Sequence, residues 1–124
     1  LTFAIGTTPA GAEKTGYAFV FAYSYALKEA YNSPIFTYPV SNDESMSDTQ
    51  YVADIRIIRH IEDAFEAHLR TKLHVNTSLF DFTARTGFKS ENIAKNRLED
   101  DKADLRIQGL EMKLLPDFAF KVES

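Results

Sequence analysis

Residues 16–27 read GYAFVFAYSYAL, with Tyr17, Phe19, Phe21, Tyr23 and Tyr25 at every second position and Ala18, Val20, Ala22, Ser24 and Ala26 between them. A period of two is that of a β-strand, whose successive side chains point to opposite faces of a sheet. The segment is therefore read as a strand with one face of five aromatic rings and one of small residues. Each face needs its own cover, so deciding what lies on each decides the fold.

Working outward, Lys28, Glu29 and Ala30 are read as a turn, and NSPIFTYPV (residues 32–40) as the partner strand. Pro34 and Pro39 supply no N–H to a ladder, which makes this strand an edge, or short and bulged. Upstream, LTFAIGTTPAGAEK has two readings: the tail of an apolar signal segment followed by Ala10, Gly11 and Ala12, or, preferred here, a short strand at residues 2–6.

Residues 49–73 give the clearest helix. Tyr51, Ile55, Ile57, Ile58, Ile61, Ala64, Phe65, Leu69 and Leu73 fall on one half of a 3.6-residue wheel, and Arg56, Arg59, His60, Asp63, Glu66 and Arg70 on the other. Ser47 or Asp48 is the expected cap, since Ser47 with Gln50 has the capping-box spacing. Such a helix is about 35 Å long, enough to cover the opening strand. Beyond it, residues 74–82 alternate as a strand and Gly87 breaks the pattern. Ser90 caps a second helix over residues 91–108 that Gly109 stops. Its apolar row of Ala94, Leu98 and Leu105 is thin and includes Asp101, the mark of a surface layer. A last strand is expected on either side of Pro116, with Phe118, Phe120 and Val122 on one face.

The element order β-β-β-α-(β)-α-β reads as one α+β domain over residues 1–124. Its sheet is mostly antiparallel, a long amphipathic helix packs on the aromatic face, and a second helix lies at the surface, with the helices on one side. The long helix is put on the aromatic face because both surfaces are apolar and an exposed patch of five rings would be exceptional. The small row Ala18, Val20, Ala22, Ser24 and Ala26, almost free of polar groups, then calls for a close neighbour of its own, the second helix or another copy of the chain. It becomes the expected interface for a protein partner or a second copy of the chain.

Composition limits the function classes. A chain of 124 residues, 44% hydrophobic, can bury a real core. Without cysteine there is no disulfide, thiolate nucleophile or cysteine-type zinc site. No apolar run reaches the ~20 residues of a membrane-spanning helix, so the chain reads as soluble, cytoplasmic or exported. A net charge of −4, with 14 basic residues spread along the chain, disfavours nucleic acid. Base stacking on the aromatic stripe would lack a positive groove.

No nucleophile elbow, phosphate loop or dinucleotide fingerprint is present. His60, His68 and His74 lack the spacing of a metal site, and neither metal nor cofactor is assigned. The loop carboxylates Asp43, Glu44 and Asp48 lack the order of a calcium loop. Glu62, Asp81 and Asp117 stand among apolar neighbours, but alternation along a strand explains Asp81 and a turn explains Asp117, so no catalytic residue is named. Asn76, Thr77 and Ser78 match an N-glycosylation acceptor, a pattern common by chance. The expected function is non-enzymatic binding through a protein partner or self-association. The alternative is a small enzyme or small-molecule-binding domain whose pocket, between sheet and helix, uses Tyr23, Tyr25 and Glu62.

Overall fold

The structure is a computed structural model that describes residues 14–40 and 44–121. The expected strand or signal tail before residue 14, and Val122, lie outside the described residues. The chain forms β1 (Lys14–Ser24), β2 (Glu29–Asn32), β3 (Phe36–Val40), helix α1 (Ile55–Leu73), a 3-10 turn (Thr77–Leu79), β4 (Asp81–Phe88), helix α2 (Glu91–Ile107) and β5 (Met112–Leu114). This is an α+β fold with a mostly antiparallel five-stranded sheet.

The opening stretch is the centre of that sheet. β1 pairs antiparallel with β4 along one edge, and with β2 and β3 in succession along the other. β2 and β3 are one strand interrupted at residues 33–35, where Pro34 stands. There the hydroxyl of buried Ser33 accepts the Val20 N–H at 3.0 Å, and the Ser33 N–H donates to the Val20 carbonyl at 2.9 Å. One residue thus satisfies both backbone groups of Val20 at the point where the ladder breaks. β5 adds parallel to β2. The turn comes at residues 25–28, earlier than expected, because Lys28 takes the left-handed conformation (φ 56°) that closes it.

The helices correct the sequence reading: they lie on opposite faces, and the long one covers the small row. Val20 and Ala22 pack with Ile61, Phe65 and Leu69 of α1, together with Phe80 and Phe118. Phe19 and Phe21 pack with Ala94, Leu98 and Leu105 of α2. Volume explains the exchange. Large side chains of α1 fit over a row of methyl groups, and bulky rings fill the space above the thin stripe of α2, so each face pairs large with small. Two large surfaces facing each other would have pushed helix and sheet apart. The rings stack along β1, Phe88 on Phe19 with centroids 6.0 Å apart and Phe21 on Tyr23 at 6.3 Å.

Element boundaries differ from expectation for local reasons. α1 starts at Ile55 behind Asp54, whose carboxylate accepts the Arg56 N–H at 2.9 Å. Ser47 and Gln50 make a turn instead, the Met46 and Ser47 N–H groups both donating to the Gln50 carbonyl. The strand expected at residues 74–82 is displaced to Asp81–Phe88, because Asn76 caps a 3-10 turn through its side chain. Gly87 does not end β4. Its φ of 84° accommodates a bulge, seen in the register between the pairs Tyr17–Phe88 and Phe19–Arg85, and a Cβ there would stand 2.8 Å from the Tyr51 carbonyl oxygen. α2 is as expected, with Ser90 as its cap and Gly109 (φ 86°) just past its end. The terminal strand stops before Pro116, and Phe118 instead packs on Phe65 with centroids 5.1 Å apart.

Candidate functional site

Sheet edges differ sharply in how they are finished. Along the outer edge of β4, Glu62 accepts the Ala84 N–H at 3.0 Å and the Gln50 side chain donates to the Thr86 carbonyl at 3.0 Å. The Tyr51 N–H donates to the Gly87 carbonyl at 2.7 Å. Beyond β2 lies β5. Among the described residues, β3 pairs with β1 alone, so its other edge carries no strand. That edge is blunted by Pro39, which has no N–H to offer.

A cleft of about 390 Å³ opens beside this edge, between β3 and the first turn of α1. Tyr38 and Val40 form its sheet side; residues 52–57 form the other. Polar and apolar groups share its lining about equally, and Ile55, 59% exposed although it lies on the apolar half of the helix, stands at its rim. The cleft holds its shape through Tyr38. The ring lies across Gly16 of β1, where a Cβ would stand 2.9 Å from ring carbons, and its hydroxyl faces Thr86 and Gly87 of β4. One tyrosine therefore reaches from β3 across the central strand toward β4. Burial pushes its hydroxyl pKa up, against the opposing pull of the Thr86 side chain and the Gly87 backbone.

Asp54 and Arg56 are the charged residues that line the cleft. Asp54 is engaged as the helix cap; Arg56, its side chain 84% exposed, keeps one contact of 3.7 Å with Asp54. The first turn of α1 carries no acidic residue. A helix N-terminus ordinarily favours acids there, so a cation at that place is a departure from the helix's own preference.

The residues expected to form sites are placed elsewhere. Ala18, Val20, Ala22 and Ser24 are buried, the first three without exposed surface, and only Ala26, in the turn, is exposed. The interface expected on this row is thus corrected: α1 occupies it. Tyr23 and Tyr25 stand on the α2 side of the sheet, edge to face at 5.4 Å, with the Tyr25 hydroxyl bonded to the Gln108 side chain. The Tyr23 pKa is raised by burial first, then by the Asp81 charge and by Tyr25. Glu62 belongs to α1 on the opposite face and closes the edge of β4, so the two tyrosines and Glu62 do not converge. Phe19 and Phe21 are buried, so these two rings offer no open stacking platform.

Two buried polar groups were outside the expected sites. Asp101 lies in the apolar row of α2 because Arg85 of β4 reaches it at 3.2 and 3.4 Å and Arg97 at 3.7 Å. Arg85 also rests over the Phe21 ring. Asn32 donates to the Ser33 carbonyl, while its Oδ1 has no partner among the described residues. No group of three or more His, Asp or Glu that could hold a metal occurs among the described residues, nor does a helix long and apolar enough to cross a membrane. The cleft left no signal in the sequence except Ile55 beside a cation and the two prolines of the edge strand. No protein-family model, curated protein or solved structure matches the chain, so its function is read from this geometry.

Proposed function

We propose that the protein is a non-enzymatic binding domain whose protein partner docks in extended form along β3 and the adjoining cleft. The observation that carries this reading is that β3, among the described residues, pairs with β1 alone, with the cleft opening beside it. An added strand gains main-chain hydrogen bonds from an open edge, here at the positions of β3 other than Pro39, and places every second side chain on one face. On the α1 side of β3 those side chains would stand over Tyr38 and Val40, inside the cleft. This moves the interface from the small row to the far side of the partner strand.

Selection of random heptapeptides displayed on phage tests it. Peptides are expected that bind the protein and lose binding to an Ala53→Trp variant, in which the indole fills the cleft. Peptides indifferent to that substitution would count against the reading. The alternative, a small-molecule pocket between sheet and helix, has in its favour a volume within the usual range for ligand sites. Cleft-dependent binding of small-molecule fragments without any cleft-dependent peptide would favour it.

A further inference from the structure

We infer that the segment docked on β3 runs antiparallel to it and is held by main-chain bonds at Thr37, an inference that rests on the binding role proposed above. Alternation along the strands shows which backbone groups of β3 are open. Val20 turns its N–H and its carbonyl toward the β2–β3 side, where Ser33 engages both. Every second residue of β1 does the same, so Ala18, Gly16 and Lys14 form the hydrogen-bonded pairs with Phe36, Tyr38 and Val40. Thr37 and Pro39 lie between these and turn their backbone groups to the other edge, where among the described residues no strand pairs with β3. Pro39 thus costs the ladder to β1 no hydrogen bond. Within β3 the outer edge offers the Thr37 N–H, the Thr37 carbonyl and the Pro39 carbonyl, and a ring carbon stands where a proton on Pro39 would be.

That ring sets the direction of an added strand. In an antiparallel pair a single residue exchanges both bonds with Thr37. In a parallel pair the two Thr37 bonds go to the residues before and after its opposite number, and the later of them aims its carbonyl at the Pro39 ring. An antiparallel segment meets the ring only at a residue that takes no part in the Thr37 bonds, and there it can bend away. Direction also assigns the side chains. Directly opposed residues share a face, so the residue before the paired one stands beside Tyr38, which lines the cleft, and the residue after it beside Phe36. Phe36 is already packed against Phe118 and Phe120, whereas the space beside Tyr38 is open. Thr37 is exposed on the opposite face, so the side chain of the paired residue points away from the cleft. The fitting partner is an extended peptide with a free N–H at the paired residue and, immediately before it, a side chain that enters the cleft.

The test uses the full chain and a cleft-dependent heptapeptide from the selection above, N-methylated at one residue at a time. The largest loss of affinity, about tenfold, should fall on one residue, whose methyl removes the donor to the Thr37 carbonyl. Among alanine substitutions in the peptide, the residue just before it should be the most sensitive. A nitroxide on the peptide's N-terminus should broaden the Val40 amide signal more than that of Phe36, and one on its C-terminus the reverse. Pro39→Ala, which adds a donor and removes the ring, should tighten binding about fivefold. The opposite broadening pattern, or an alanine-sensitive residue that follows the methyl-sensitive one, would overturn this inference and leave the binding role standing. Unchanged or weaker binding to a folded Pro39→Ala variant would do the same; if that variant does not fold, the labelled and methylated peptides decide. No cleft-dependent peptide at all would overturn both. A dimer in sedimentation that the Ala53→Trp change dissociates would assign the cleft to a second copy of the chain, and would also overturn it.

Discussion

Gly16 and Tyr38 illustrate what a single position can decide. The ring of Tyr38 needs the space that a side chain at residue 16 would take, with Val40 Cγ2 only 2.7 Å from a Cβ built there. Gly16→Ala is therefore expected to destabilise the fold by about 1–3 kcal/mol through overpacking, read as a lower urea midpoint at unchanged slope. Tyr38→Phe keeps the ring and removes the hydroxyl that reaches β4, at an expected cost of about 1 kcal/mol. The hydroxyl also has a pH signature. Tyr23, Tyr31 and Tyr38 all have pKa values raised above 10.0, in each case mainly by burial, with Glu29 adding to the rise at Tyr31 and Asp81 at Tyr23. A raised tyrosine pKa favours the neutral hydroxyl in the folded state, so its contribution is fully present below pH 10 and is lost as pH climbs from 10 through the folded value. Stability should thus decline above pH 10, and the decline should be shallower in Tyr38→Phe. An unchanged slope would remove Tyr38 from that account.

At the scale of elements, the sequence showed more about what each segment is than about what it touches. Period two over residues 17–25 and the 3.6-residue wheel from Ile55 to Leu73 are consequences of local geometry, and both elements form. Ser47 and Gln50 misled because the capping box and a polar turn use the same residue types, and only the bonds to the Gln50 carbonyl distinguish them. Asp101 stood out in the apolar row of α2, but its explanation, Arg85, lies on a different element. Removing that carboxylate by Asp101→Ala leaves Arg85 two-thirds buried without its partner and is expected to cost about 3 kcal/mol, less than a fully buried pair because solvent reaches the guanidinium. Replacing both by Arg85→Met/Asp101→Leu should recover most of the loss in urea unfolding. Glu62, chosen from the sequence as a ligand group, holds the edge of β4 instead. Glu62→Ala should lower stability by about 1 kcal/mol and expose the Ala84 N–H, which faster amide exchange at Ala84 would reveal.

For the whole molecule, the lesson concerns volume. The wheel shows that α1 needs an apolar surface, and hydrophobicity alone allows either face of β1. Size selects the small one, because methyl groups admit Ile61, Phe65 and Leu69 where a row of rings would not. Ala22→Leu is accordingly expected to cost about 1–3 kcal/mol by overpacking under α1, and Phe21→Ala about 3–5 kcal/mol by the cavity it leaves beneath α2. With both faces of the centre occupied, neither the small row nor the aromatic row is open to a partner. The candidate site, which the sequence did not reveal because it is built from β3 and a helix start some 15 residues later in the chain, is the edge that the packing leaves over. Amide hydrogen exchange measured with and without a cleft-dependent heptapeptide addresses that claim most directly. Binding along β3 requires slower exchange within Phe36–Val40 and across residues 52–57, with the already protected amides of residues 18–24 unchanged. Protection confined to β5 or to the exposed face of α2, with β3 unaffected, would contradict it.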